Sequence, residues 1–136
     1  MASVRPKSRP LSPHLQIWRW GPHMLVSILH RATGVAMGTV GLALLAWWLA
    51  AIAGGEDSYA RFLSWFTGEW APLGYLFGIG FTYVLFQHMG TGMRHFVLDV
   101  GAGYELRRNR RGAIGTIVFA VIATIALWTW LLVGKA

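Results

Sequence analysis

Two histidines, an arginine and an aspartate lie near the end of an apolar stretch, within "QHMGTGMRHFVLD" (87–99). At helical spacing, one face of this segment carries His88, Gly92, His95 and Asp99. Histidine nitrogens ligate metals, and histidine and arginine also bind anionic groups. The segment therefore predicts a helix that presents a metal ligand and anion-binding groups, with glycine between them.

A second polar face occurs earlier in the chain, in "SILHRATG" (27–34). Helical spacing places Ser27, Arg31 and Gly34 on one face, which continues to Gly38, with His30 beside it. Small residues four apart let two helices approach closely. We expect the two faces to meet at similar depth, because the first helix would enter from the side where the second one ends.

The chain has no cysteine, so a metal would need histidine, methionine or oxygen ligands. His88 would lie ~16 Å along its helix from Asp99, at ~1.5 Å per residue. A deep histidine beside glycines is a natural axial ligand for haem iron, and shallower histidine and arginine groups suit its anionic propionates. Other interpretations stay open here: a histidine can bond a neighbouring helix, Arg31 and Arg94 can extend to lipid headgroups, and Asp99 can simply mark the end of a span.

The composition is that of an integral membrane protein. Of 136 residues, 55% are hydrophobic and only 12% charged, with eight Trp and seventeen Gly. The net charge of +7 is better explained by membrane lipid and topology than by nucleic acid. The basic, Pro-rich N-terminus lacks the pattern of a signal peptide.

Three apolar stretches have the roughly 20 residues needed to cross a bilayer. They cover about 24–53, 71–98 and 113–133. Pro22 and Pro72 suit the first turns of the first two helices. We therefore predict an N-terminal cytoplasmic or interfacial segment, 1–23, followed by an all-α membrane domain, 24–136.

The positive charges predict the orientation of the spans. Arginine and lysine concentrate before the first span and in "ELRRNRRG" (105–112), between the second and third. By the positive-inside rule, the N-terminus and this loop are cytoplasmic and the C-terminus is periplasmic, in a bacterial inner membrane. An aromatic belt is expected on the outer side, formed by Trp47, Trp48, Trp65, Trp70, Trp128 and Trp130.

Three segments together resemble the signatures of a known family. "RPLSPHLQIW" (9–18), "SILHRATG" (27–34) and "HMGTGMRHFVLD" (88–99) are similar to those of the cytochrome b large membrane-anchor subunit of succinate dehydrogenase, respiratory complex II. They occur in the same order, and the resemblance covers essentially the whole chain.

This resemblance implies a three-helix, up-and-down bundle that pairs with a second, smaller three-helix anchor subunit. Together the two would hold one haem b and a ubiquinone site, and would dock the flavoprotein and iron–sulfur subunits. His88 would be the axial ligand that this chain gives to the haem iron. Ser27 and Arg31 would line the quinone site. The remaining motif residues would lie near the haem propionates: His30, Arg94 and His95.

The implied function is electron transfer from the iron–sulfur subunit to ubiquinone, as part of an enzyme of the tricarboxylic acid cycle. This chain would perform no succinate chemistry and would supply no catalytic residue. Two alternatives are a quinol–fumarate reductase anchor and a haem-free structural anchor, in which His88 only bonds another helix. The absence of inverted repeats argues against a transporter.

Overall fold

The computed structural model describes residues 20–134, and this part of the chain is helical without strands. The predicted interfacial segment "SPHLQIWRW" (12–20) lies almost entirely outside the described residues. The all-α prediction is confirmed. The elements in chain order are α1 (Pro22–Ala36), a π-helical turn (Met37–Gly41), α2 (Leu42–Ala53), α3 (Glu56–Thr67), α4 (Ala71–Asp99) and α5 (Leu106–Val133).

Two helices in the described region are long and apolar enough to cross a membrane. They are Pro22–Ala53, which runs unbroken through α1, the π-helical turn and α2, and Leu106–Val133. The predicted middle span corresponds to α4, which has 29 residues and would be ~43 Å long. Its glycines, tyrosines and C-terminal polar residues make it less apolar than the other two, so the three-span arrangement stays a prediction.

Prolines begin the first and fourth helices, as the sequence predicts. Pro22 and Pro72 each occupy the first turn, where a missing N–H leaves no helical hydrogen bond unmade. Between them, the sequence analysis did not predict α3. Gly54 and Gly55 end α2, and Gly55 has a φ of 83°, which favours glycine.

Helix α3 is short and amphipathic. Glu56 and Asp57 in its first turn interact favourably with the helix dipole. Aromatic residues recur at helical spacing, and Phe62 and Phe66 contact Trp47 and Tyr75 respectively. This periodicity was available in "YARFLSWF" (59–66), but the segment is too short to span a membrane and was assigned to a loop.

Helix α5 begins seven residues before the predicted start of the third span at 113. The connection from α4 is only 100–105, because Gly101 and Gly103 adopt positive φ values of 82° and 81° and turn the chain sharply. The arginine-rich segment predicted as a loop forms the first turns of α5, consistent with the good helix propensity of arginine.

Helix α4 is central, since it contacts α1, α3 and α5. The surfaces that meet are built from small side chains, which let helix backbones come close without lipid between them. On α5 the buried residues are Ala113, Thr116, Ala120 and Thr124, and on α4 they are Gly74, Gln87, Gly90 and Thr91.

Aromatic side chains gather at the end of the bundle opposite the arginine-rich turns. Trp47 contacts Trp65, and Trp65 contacts Trp70, with ring centroids 6.1 and 6.2 Å apart. Trp47, Trp65 and their neighbours on α2, α3 and α4 surround an apolar cavity of about 920 Å³. Trp128 of α5 also lines it and donates a hydrogen bond to Thr82 Oγ1 at 3.2 Å.

The backbones of α3 and α4 come very close at Gly74, so one added methyl group there should have a strong effect. A Cβ on Gly74 would lie 2.0 Å from the carbonyl oxygen of Trp65 in α3. We expect Gly74→Ala to destabilise the protein by about 1–3 kcal/mol, because backbone atoms of α3 must move. Thermal unfolding in detergent, followed by circular dichroism, measures the change.

The matched control is Gly80→Ala in the same helix, where an added Cβ meets nothing within 4 Å. This variant should unfold at the same temperature or slightly higher, because alanine favours the helix. Equal melting temperatures for the two variants would contradict the packing of α3 on α4.

Candidate functional site

Three histidines converge where α1 and α4 meet, near the arginine-rich end of the bundle. The rings of His30 and His88 stack with centroids 4.1 Å apart and an angle of 11° between their planes. The ring of His95 lies 4.9 Å from that of His30 at 52°. Residues that are 65 positions apart in sequence thus form one cluster, which we call the histidine cluster (His30, His88 and His95).

A glycine on each helix faces the histidine of the other, and the approach is tight at Gly34. A Cβ on Gly34 of α1 would lie 3.1 Å from Cε1 of His88. A Cβ on Gly92 of α4 would lie 3.8 Å from Cε1 of His30. The prediction that the two polar faces meet is therefore confirmed at Gly34 and Gly92. Gly38, predicted to extend the first face, has nothing within 4 Å of an added Cβ and is not part of the contact.

Two threonines hold the rings across the helix boundary. Thr33 Oγ1 of α1 lies 3.0 Å from Nδ1 of His88, and Thr91 Oγ1 of α4 lies 2.8 Å from Nδ1 of His30. Both threonines are buried. Sequence reasoning missed them, although a signal exists: each follows a histidine by three residues, in "HRAT" (30–33) and "HMGT" (88–91).

Arg94 is directed toward α5. Its guanidinium Nη2 donates a short hydrogen bond to Asn109 Oδ1, and Gly112 lies nearby. The sequence analysis did not single out Asn109, the one uncharged residue in the run "RRNRR" (107–111). A guanidinium has five donors, so this bond leaves others for an anionic ligand.

Ser27 and Arg31 lie one turn apart on α1, and His30 of the histidine cluster lies between them in sequence. Ser27 is half-buried, whereas Arg31 is exposed. Asp99 is also exposed, at the C-terminal end of α4.

Gln87 is another residue that the sequence analysis passed over. It is fully buried, and within residues 20–134 neither Nε2 nor Oε1 of its side chain has a hydrogen-bond partner. It precedes His88, so the interior side of α4 is polar at the depth of the histidine cluster.

The arrangement of possible ligand atoms shows whether this chain alone could bind a metal ion. Within the described chain, no group of three or more His, Asp or Glu side chains could hold a metal ion together. The parallel stacking of His30 and His88 agrees with this, since ligands of one metal converge rather than stack. A single ligand from this chain, completed by a group from elsewhere, is compatible with the arrangement.

Comparison with known proteins gives a consistent result. The family model described as "Succinate dehydrogenase/Fumarate reductase transmembrane subunit" matches residues 5–127. The match includes both polar faces, the whole of Pro22–Ala53 and α4, and most of α5.

Individual relatives carry matching names. The chain is 33% identical over 134 residues to the succinate dehydrogenase cytochrome b556 subunit of Paracoccus denitrificans, covering 96% of this chain and 100% of the relative. It is 30% identical to the cytochrome b556 subunit of Rickettsia felis, over 88% of this chain and 90% of that one. It is also 30% identical to the mitochondrial cytochrome b560 subunit of Sus scrofa, over 88% and 70%. The chain therefore belongs to the succinate dehydrogenase cytochrome b membrane-anchor family.

Proposed function

We propose that this chain binds haem b in the membrane and helps pass electrons from the iron–sulfur subunit of succinate dehydrogenase to ubiquinone. The observation that carries the proposal is the histidine cluster beside Gly34 and Gly92. It puts a potential iron ligand and further polar groups on one glycine-lined surface. The names of the cytochrome b relatives support haem as the cofactor.

The residues present fit a haem. His88 is half-buried and uses Nδ1 for its bond to Thr33, so Nε2 is the ring nitrogen that would bind iron. His30, His95 and Arg94 lie within the same region and would hold the propionates. Bound haem would supply one-electron redox chemistry, while this chain would fix its position and surroundings.

The side-chain chemistry of Ser27 and Arg31, and their position on α1, support a quinone site there. Quinone carbonyl oxygens gain negative charge on reduction, so a fixed cation and a hydroxyl donor favour the reduced form. Both residues lie on one face of α1, within two turns of the histidine cluster. Because Arg31 is exposed here, neighbouring subunits would have to close the pocket around it.

The proposed partners are the small anchor, iron–sulfur and flavoprotein subunits. Large apolar side chains are exposed along the long helices, for example Val35, Leu76 and Ile122. They suit lipid or a second helical anchor. The small anchor would also give a second ligand to the haem iron and complete a bundle with three spans from each chain.

The proposed location is a bacterial inner membrane with the histidine cluster near the cytoplasmic side. The contact between Arg94 and Asn109 places the arginine-rich turns of α5 at the same end as the start of α1. The basic residues before the first span precede α1 in the sequence, and the arginine-rich turns of α5 lie at the end where α1 begins, which supports a cytoplasmic N-terminus and a periplasmic C-terminus.

Two alternatives have specific support. The matched family also includes fumarate reductase transmembrane subunits, so the same anchor could serve the reverse reaction. The two His–Thr hydrogen bonds join α1 to α4, which is what a haem-free structural anchor would need. The optical spectrum of the assembled complex separates the haem-binding role from the structural one.

Replacing His88 tests the proposed iron ligand. His88→Ala should abolish or strongly shift the reduced-minus-oxidised b-type band, because no other described side chain would take over coordination from that position. His95→Ala should disturb the band much less, since a propionate contact is not a coordination bond. An unaltered low-spin spectrum in a fully assembled His88→Ala complex would rule out this ligand.

Replacing Arg31 and Ser27 tests the quinone site. Arg31→Leu should lower quinone reduction by up to roughly 100-fold, as for loss of one preorganised donor, and Ser27→Ala should lower it less. Succinate oxidation with an artificial dye that accepts electrons upstream should stay normal. The control is Arg61→Leu, an exposed arginine on α3 at the other end. Normal quinone reduction in both site variants would place the quinone elsewhere, and loss of haem in Arg31→Leu would assign Arg31 to the propionates.

The proposed orientation is testable with reporters. A periplasm-active reporter fused after Ala136 should be active, and the same reporter inserted after Gly103, in the short turn before α5, should be inactive. The turn is a better insertion point than Asn109, whose side chain bonds Arg94. The reverse pattern would place the haem and quinone near the periplasm and contradict the proposed docking side.

A further inference from the structure

The two "His-x-x-Thr" segments, one on α1 and one on α4, form hydrogen bonds to each other across the helix interface. His30 bonds Thr91 rather than Thr33, and His88 bonds Thr33 rather than Thr91. Each helix therefore provides one ring and one hydroxyl. The family resemblance assigns no role to either threonine, and the direction of the two hydrogen bonds determines what the threonines do.

The proton of Thr33 is used within its own helix. Its hydroxyl donates to the carbonyl oxygen of Leu29 at 2.7 Å, with the carbonyl of His30 further away at 3.1 Å. A hydroxyl has one proton but two acceptor lone pairs. Toward His88 the Thr33 oxygen must then accept, so Nδ1 of His88 carries the proton.

The second pair has the same arrangement. Thr91 donates to the carbonyl oxygen of Gln87 at 2.7 Å, so its oxygen accepts from Nδ1 of His30 at 2.8 Å. In each pair a backbone carbonyl takes the hydroxyl proton and the ring provides the proton across the interface. A neutral imidazole protonated at Nδ1 has its lone pair on Nε2.

We propose that Thr33 is a positioning residue for the iron ligand: it holds His88 as the Nδ1–H tautomer with Nε2 free to bind haem iron. The proposal rests on the haem-binding role proposed above. A hydrogen bond donated from Nδ1 makes a metal-bound imidazole more basic, so it stabilises ferric over ferrous iron. Thr33 would thus lower the reduction potential of the haem as well as fix the ring.

Two further contacts restrict the orientation of the His88 ring. Cε1, the carbon between the two nitrogens, faces Gly34, where even one methyl group would lie at only 3.1 Å. The ring face is covered by His30, which Thr91 holds in turn. Residues of α1 therefore constrain both the edge and the face of the His88 ring. Its tautomer is set by Thr33, which would not touch the iron.

The decisive comparison is between Thr33→Val and Thr33→Ser in the assembled complex. Valine keeps the shape and removes the acceptor, whereas serine keeps the hydroxyl. In Thr33→Val we expect the haem potential to move to more positive values and haem affinity to fall about 10–100-fold. Thr33→Ser should stay close to the wild type in both measurements.

A second measurement covers the case in which Thr33→Val assembles poorly. Nitrogen NMR of the full-length chain in detergent without haem, labelled at histidine, reports which ring nitrogen carries the proton. The wild type and Thr33→Ser should have His88 protonated at Nδ1. Thr33→Val should gain the Nε2–H form, which needs no haem to be detected.

The matched control is Thr39→Val. Thr39 also donates to a carbonyl four residues back, that of Val35 at 2.7 Å, but it is exposed and bonds no histidine. In Thr39→Val, the haem potential, the haem affinity and the tautomer of His88 should equal those of the wild type. A Thr33→Val complex that matches this control in all three would overturn the proposal, as would equal changes in Thr33→Ser and Thr33→Val.

His88→Ala distinguishes this proposal from the one on which it rests. If His88→Ala keeps its haem spectrum, the ligand role fails and the role of Thr33 fails with it. If His88→Ala loses haem while Thr33→Val behaves like the wild type, only the role of Thr33 fails.

Discussion

The close contact of α1 with α4 depends on glycines that face large rings. Gly34 leaves room for the His88 ring, since an added Cβ would lie 3.1 Å from Cε1, and at this separation Thr33 and Thr91 reach the opposite rings. A side chain at position 34 would force the His88 ring to shift. Since α4 also contacts α3 and α5, its distance from α1 affects the position of every other helix.

The bundle has two chemically different ends. At one end, polar side chains lie between helices, and His30, His88 and Arg94 are paired across them. At the other end, tryptophans and phenylalanines surround an apolar cavity, where Trp128 donates a hydrogen bond to Thr82. A membrane anchor needs both, because redox cofactors require polar ligands and lipid requires an apolar surface.

Much of this was predictable from the sequence, for identifiable reasons. Helical periodicity and the long apolar runs gave the helices and the facing of His88 with Gly34. The amphipathic pattern of α3 is too short to predict a membrane span, and the run of charge at 107–111 resembles a loop although it forms the first turns of α5. The exchanged His–Thr bonds and the Arg94–Asn109 bond depend on how the helices pack, which spacing within one helix does not specify.

The π-helical turn Met37–Gly41 changes the direction in which the later residues of the long first helix face. A π-helical turn contains about one residue more than an α-helical turn, so it offsets everything that follows by about 100°. Gly34 before the turn faces His88, and Gly41 at its end faces Phe81. If these residues relaxed to uniform α geometry, the aromatic half would rotate while the polar half stayed in place. The turn thus sets the angle between the half of this helix that carries His30 and the half that faces the aromatic residues.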